Sequence, residues 1–173
     1  IGKGEDPEDP GGYFIINGTE KALVKIEDLA PNKFLVTEAS TGPSQYEGKI
    51  FSEKGSYKIP HTIEKLKDGI VYISFTRVKR IPVIAVIKAL AITKDDEIMK
   101  AVDLQDSSEL FVNLYEFVDM KTDEDAIDYI AKKIGIAQTR EIRIERTQEI
   151  LDKYLLPHIG AEKKDRLLKA HNL

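Results

Sequence analysis

The chain contains no cysteine. A disulfide scaffold, a thiolate-bound zinc and a cysteine nucleophile are excluded with it, and nothing points to an oxidising, secreted environment. An intracellular, cytoplasmic protein is expected. Side-chain amides are scarce too, with four Gln and four Asn against 20 Lys and 22 Ile, a balance met in proteins of hot-living organisms, where ionic networks replace thermolabile amides. The longest apolar stretches, residues 81–87 and 89–92, are broken by Lys88 and fall short of the ~20 residues that span a bilayer. No membrane partner is expected. The opening Ile1-Gly2-Lys3-Gly4-Glu5-Asp6-Pro7 has neither the basic nor the apolar segment of a secretory signal, and its start reads as a cut.

Several kinds of chemistry are missing as well. Gly2-Lys3-Gly4 and Gly11-Gly12 fit neither the dinucleotide fingerprint nor the P-loop, whose backbone N–H groups must converge on phosphate. The three histidines, His61, His158 and His171, lack carboxylate or cysteine neighbours at ligand spacing and read as packing or surface residues. Asp95-Asp96-Glu97 and Asp123-Glu124-Asp125 open helices, where the dipole favours negative charge, and adjacent carboxylates on a helix splay apart instead of closing on a cation. No serine has the flanking glycines of a nucleophile elbow. No catalytic residue, metal site or cofactor is expected in this segment.

With 173 residues, 42% of them hydrophobic, one domain with a real core is expected. The net charge of −4 hides a segmented distribution. Residues 57–92 carry a local +5, residues 93–128 a local −9 and residues 129–173 a local +4. Such blocks argue for surfaces with different partners.

Asn17-Gly18 between Tyr13-Phe14-Ile15-Ile16 and Thr19-Glu20-Lys21-Ala22-Leu23-Val24 predicts a hairpin, because both central positions of a type I′ turn need positive φ. Residues 34–37, 46–52, 57–62 and 70–75 read as further strands joined by turns at 30–32, 41–44, 53–56 and 68–69. Tight turns imply an antiparallel sheet. After Ile81-Pro82 the period becomes helical, with Val83, Val86, Ile87, Leu90 and Ala91 on one face and Pro82 suited to a first turn. Further helices are predicted over 95–102, from a cap at Ser107-Ser108 to about Val118, from Thr122 to Gly135, over 140–154, and from Glu162. The fold class is α+β: short antiparallel strands in the N-terminal half, four to five packed helices in the C-terminal half.

Three segments, in this order and spacing, resemble the second-largest subunit of archaeal and eukaryotic DNA-dependent RNA polymerases. Asp9-Pro10-Gly11-Gly12-Tyr13-Phe14-Ile15-Ile16-Asn17-Gly18-Thr19-Glu20-Lys21 follows the family's D-x-G-G-Y-F-I-I-N-G-[ST]-E-K. Ile81-Pro82-Val83-Ile84-Ala85-Val86-Ile87-Lys88-Ala89-Leu90-Ala91-Ile92 is similar to I-P-[IV]-x-x-[IV]-[FL]-[RK]-A-L-G-[IV], with Ala91 where the family usually has glycine. Leu155-Leu156-Pro157-His158-Ile159-Gly160 looks like the F-L-P-H-I segment after a long basic-acidic helix. Residues 30–56 are the least similar.

The resemblance implies that residues 1–22 end the hairpin of the neighbouring protrusion and residues 23–173 form the lobe. A lobe lines the main cleft near downstream DNA and offers an outer surface to zinc-ribbon subunits or transcription factors. The expected partners are therefore other polymerase subunits, such factors, and double-stranded DNA bound without sequence preference. The family's Mg²⁺ and Zn²⁺ sites lie elsewhere in the enzyme, which is a nucleotidyltransferase only as an assembly. Candidates for phosphate contacts are Arg77, Lys79 and Arg80 beside the Ile81-Pro82 segment, and Arg140, Arg143 and Arg146 on the long helix. Against the last two stands intrahelical pairing with Glu141, Glu145 and Glu149. A free-standing acidic adaptor, with residues 93–128 gripping a basic partner, is the alternative that the charge blocks allow.

Overall fold

A computed structural model describes residues 4, 6–40, 42–102 and 108–173; residues 1–3, Glu5, Thr41 of one expected turn and the expected cap Ser107 lie outside them. The first hairpin joins β1 (Tyr13–Ile16) to β2 (Thr19–Ala22), with Ile16 opposite Thr19. Asn17 and Gly18 take φ values of 51° and 76°, the pair that a type I′ turn demands. Upstream, the Asp9 carboxylate accepts hydrogen bonds from the Gly11 N–H and the Tyr13 hydroxyl, which hold it below the usual carboxylate range, the tyrosine most of all. The Asp, the glycine and the Tyr of the first motif thus form one local unit. Every residue of β1 and β2 is exposed, apolar ones included.

β3 (Phe34–Glu38), β4 (Ser44–Lys54), β5 (Tyr57–Leu66), β6 (Val71–Phe75) and β7 (Val78–Pro82) make a five-stranded antiparallel meander in chain order. β7 goes beyond the expected strands. It is an edge strand, and Pro82 stands at its end, where the missing N–H removes little from the ladder. β3, the other edge, is exposed throughout.

Among the described residues six helices follow: α1 (Val83–Ala89), α2 (Asp95–Val102), α3 (Ser108–Glu116), α4 (Asp123–Ile134), α5 (Arg140–Tyr154) and α6 (Arg166–His171), the last entered through a 3₁₀ turn at Lys163–Asp165. The architecture is α+β. α1 leaves β7 without a linker, and residues 83–90 are all buried, because this helix is sandwiched between the sheet and α4. Ile73, Phe75, Val78 and Ile81 from the sheet meet Ile84, Val86, Ile87 and Leu90 from α1 and Ile127 and Ile130 from α4. Each such side chain contributes roughly 1.5–3 kcal/mol by leaving water.

α1 stops in a Schellman motif. The Ala91 N–H donates to the Lys88 carbonyl at 3.2 Å and the Ile92 N–H to the Ile87 carbonyl at 3.4 Å, while Ala91 adopts φ 86°. The tight ending therefore persists with alanine in the left-handed position, where a Cβ costs roughly 1–2 kcal/mol and glycine nothing. Ala91 is exposed, so Ala91→Gly leaves no cavity. After the entropy that glycine adds to the unfolded chain, the variant is expected to be more stable by about 1 kcal/mol in urea titrations; a lower midpoint would contradict the strain argument.

The third motif joins the strand half to the helical half. Leu156, held at φ 43°, donates its N–H to His61 Nε2 on β5 at 3.0 Å. His61 Nδ1 lies 3.1 Å from the Ile59 carbonyl, so the ring is neutral with its proton on Nδ1. The His158 N–H donates to Ser52 Oγ on β4 at 3.2 Å, and Ser52 Oγ stands 2.7 Å from His158 Nδ1. This Ser-His pair is structural: Ser52 is wholly buried, and its hydroxyl is engaged by the backbone of the histidine it touches. On the other side, Arg166 grips Asp152 with two bonds of 2.7 and 2.6 Å. Buried Lys169 donates to the carbonyls of Leu151 and Asp152 at 3.1 and 2.6 Å, closing the C-terminal end of α5; burial pushes its ammonium down to about 8. Gly160 is required here, since a Cβ would lie 2.0 Å from the Asp165 carboxylate.

Candidate nucleic-acid interface

Arg77, Lys79 and Arg80 are presented by the β6–β7 hairpin. Phe75 pairs with Val78 and Ile73 with Ile81, so Lys79 and Arg80 together oppose Ser74. This is a β-bulge, a device that re-aims side chains at a sheet edge. Arg80 takes φ 49°, its N–H donates to Ser74 Oγ at 2.9 Å, and its Nε reaches Glu64 Oε2 of β5 at 3.1 Å. Glu64, sixteen residues away in sequence, is the acid that Arg80 lacks among its chain neighbours. Arg77, on the turn, and Lys79 are exposed and have no carboxylate partner among the described residues.

The three arginines of α5 have different surroundings. Arg140 reaches across to α4, 3.1 Å from Asp125 and 3.9 Å from Glu124. Arg143 holds Asp128 through Nε at 2.7 Å and Nη2 at 2.6 Å, and donates from Nη1 to the Gln138 carbonyl at 2.7 Å. Lys132 joins the same carboxylate at 2.7 Å. Lys132 and then Arg143 hold the Asp128 carboxyl below its usual range against its partial desolvation. The partners are thus acids of the neighbouring helix; no pair with Glu141, Glu145 or Glu149 is found among the described residues. Arg146 is exposed and has no ion-pair partner among the described residues.

Lys133 adds a residue that the motifs did not single out. Its ammonium lies 5.7 Å from the ring centroids of both Tyr72 on β6 and Tyr129 on α4, which puts a basic end of α4 beside the hairpin strand. The only signal in sequence is the Lys132-Lys133 pair in a last helical turn, where cations are favoured in any helix.

The acids do not converge. Asp95 Oδ1 stands 2.9 Å from Lys88 Nζ, off the line of an ammonium hydrogen bond, and the same nitrogen donates to the carbonyls of Phe117 and Met120 at 3.0 and 3.2 Å. The Asp125 N–H is capped by Thr122 Oγ1 at 3.1 Å and the Glu124 N–H by Asp123 Oδ1 at 3.0 Å. Among the described residues no three His, Asp or Glu side chains are placed to hold a metal ion, and no helix is long and apolar enough to cross a membrane.

Geometry and charge together define an α+β module that presents cations on one hairpin and one helix. The sequence model of the family described as RNA polymerase Rpb2, domain 2, matches residues 29–173. The chain is 45% identical over 174 residues to DNA-directed RNA polymerase subunit Rpo2 of Saccharolobus solfataricus, covering 98% of this chain and 16% of that subunit. It is 37% identical over 171 residues to subunit Rpo2N of Methanocaldococcus jannaschii, covering 95% and 34%. The chain therefore spans about a sixth of the one relative and about a third of the other. It belongs to the RNA polymerase Rpb2 domain 2 family.

Proposed function

We propose that this chain is a non-catalytic lobe module of the second-largest subunit of a DNA-directed RNA polymerase, lining the main cleft near downstream DNA. In this reading residues 1–22 end the protrusion's hairpin and residues 23–173 are the lobe. The exposed apolar residues of β1 and β2 fit that division, since Tyr13, Phe14, Ile15 and Ile16 need cover that the lobe does not supply. The module holds no cofactor; Mg²⁺ and Zn²⁺ belong to other parts of the enzyme. It acts in the cytoplasm with the other subunits, and its outer surface docks small subunits or transcription factors.

The observation that carries the DNA side of the reading is the β6–β7 hairpin, whose turn and bulge leave Arg77 and Lys79 in solvent with no carboxylate partner among the described residues. Arg146 on α5 is likewise exposed and without an ion-pair partner among the described residues. Arg80 and Arg140 are half-committed to carboxylates, and Arg143 serves mainly to fix α5 on α4. Lys or Arg contacts to phosphate give salt-dependent binding without sequence preference. The chain is expected to bind duplex DNA with a Kd of roughly 10⁻⁴–10⁻⁶ M. Replacing Arg77, Lys79 and Arg80 together by Glu should weaken binding and flatten the dependence of log K on log salt. Titrations that superimpose on the wild type at every salt concentration would refute the assignment. Nucleotide incorporation is expected from the assembled polymerase and none from this chain alone.

A further inference from the structure

Helix α3 is amphipathic in an unusual way. Leu110, Leu114 and Phe117 turn inward to the core, yet Phe111, Tyr115 and Val118, at i, i+4 and i+7, are 52%, 82% and 50% exposed. That spacing places the three on one stripe of the helix and its C-terminal turn. The stripe is rigidly mounted. Asn113 donates from Nδ2 to the Gly69 carbonyl at 2.9 Å and accepts from the Val71 N–H at 2.9 Å, tying α3 to the β5–β6 turn. Glu109 meets Lys65 at 2.6 Å. A solvent-facing aromatic on a fixed helix exposes apolar surface that a monomeric protein rarely leaves contiguous.

The surroundings are acidic. Across the described parts of residues 95–119 there are six carboxylates and one lysine. Three of these acids, Asp96, Glu116 and Asp119, have no ion-pair partner among the described residues. Asp96 lines the same depression as Val118, at the foot of the stripe, with Lys94 and Lys121 at its margin. These three carboxylates attract lysine and arginine.

We propose that the Phe111–Tyr115–Val118 stripe docks a Lys/Arg-rich segment of another polypeptide, which inserts aliphatic side chains against Phe111 and Tyr115 and sets its cations against Asp96, Glu116 and Asp119. A central aromatic with a charged rim is the arrangement in which a few side chains carry most of the binding free energy. The proposal names the surface and the partner chemistry behind the docking role assigned above, and rests on that role.

The test uses a lysine-rich amphipathic peptide with leucines at i, i+4 and i+7, and a second peptide of identical charge with the leucines replaced by serine. Fluorescence anisotropy with the wild-type chain is expected to show the leucine peptide binding at least about tenfold tighter. Tyr115→Ala should weaken it about tenfold, and the pair Glu116→Lys and Asp119→Lys should do the same while removing the salt dependence. Tyr115 is so exposed that its loss leaves the fold intact, which circular dichroism checks. Duplex DNA binding by Tyr115→Ala should be unchanged, so failure here is distinguishable from failure of the DNA reading. In the assembled polymerase, p-benzoylphenylalanine in place of Tyr115 should crosslink to a Lys/Arg-rich segment of a different subunit or of an added factor. Equal affinity for the two peptides, indifference to Tyr115→Ala, or a crosslink that returns to the same subunit, joins two copies, reaches DNA or fails to form would overturn the proposal.

Discussion

Lowering the pH from 6.5 to 4 is expected to remove about 3 kcal/mol of folding stability through His61 alone. Burial pushes this imidazole from its ordinary 6.5 down to about 4, and the positive groups His158 and Lys169 push in the same direction, against hydrogen bonds to backbone carbonyls that favour the charged form. Above pH 6.5 the ring is neutral in both states and contributes nothing to the pH dependence. Below it, the unfolded chain takes up a proton that the folded chain refuses, so stability falls by about 1.4 kcal/mol per pH unit and levels off near pH 4. His158, also lowered by desolvation, adds a smaller loss of the same sign. Asp9, Asp28 and Asp128 have carboxyls held below their ordinary 3.8, so their contributions disappear only at lower pH. Urea unfolding of wild type and His61→Gln across this range is the measurement. The amide can still accept from the Leu156 N–H but cannot charge, so the variant should show a much flatter profile. Parallel profiles would remove His61 from the explanation.

Lys88→Ala is expected to destabilise the chain by about 3–5 kcal/mol. The residue is 1% exposed, and its ammonium gathers the carbonyls that end α3 and the Asp95 carboxylate that begins α2. Alanine deletes the packed aliphatic stem and strands those oxygens together. Lys88→Met keeps most of the volume and loses only the polar contacts, so its cost should be smaller by about 2 kcal/mol. Denaturant midpoints of the two variants measure this order. A Lys88→Ala protein within about 1 kcal/mol of wild type would mean that desolvating the charge already cancels what its contacts supply.

Lys88 also marks a limit of sequence reading. In the linear chain it interrupts an apolar run and looks like the solvent face of an amphipathic helix. The structure buries that face against the segment after α3 and the start of α2, and the lysine is satisfied by backbone oxygens about 30 residues away, which no local pattern can reveal. The same holds for Arg143. Three glutamates at helical spacing offer intrahelical partners, yet Asp128 on α4 provides a better geometry, one short hydrogen bond from Nε with Nη2 close to the same oxygen. What was legible was local: the Asn-Gly reversal, the β4–β5 and β5–β6 turns, the Thr122 cap and the stop before Pro157. β7 escaped because its five residues carry two adjacent cations and a proline, features that read as a loop when the bulge joining them to Ser74 is unknown. As for the candidate interface, basic residues could be found in the sequence, but which of them are neutralised depends on strand and helix neighbours, Glu64 for Arg80 and Asp125 for Arg140.

The bonds from β4 and β5 to the segment 155–160 connect residues 106 and 95 positions apart. Contacts so distant along the chain slow folding, because a long loop must close before they form. During synthesis the strands leave the ribosome well before their partners Leu156 and His158 exist. The nascent chain must therefore keep Ser52 and His61 without these partners until most of its helices have been made, and the segment 155–160 locks onto the sheet only in the last stage of translation of this region.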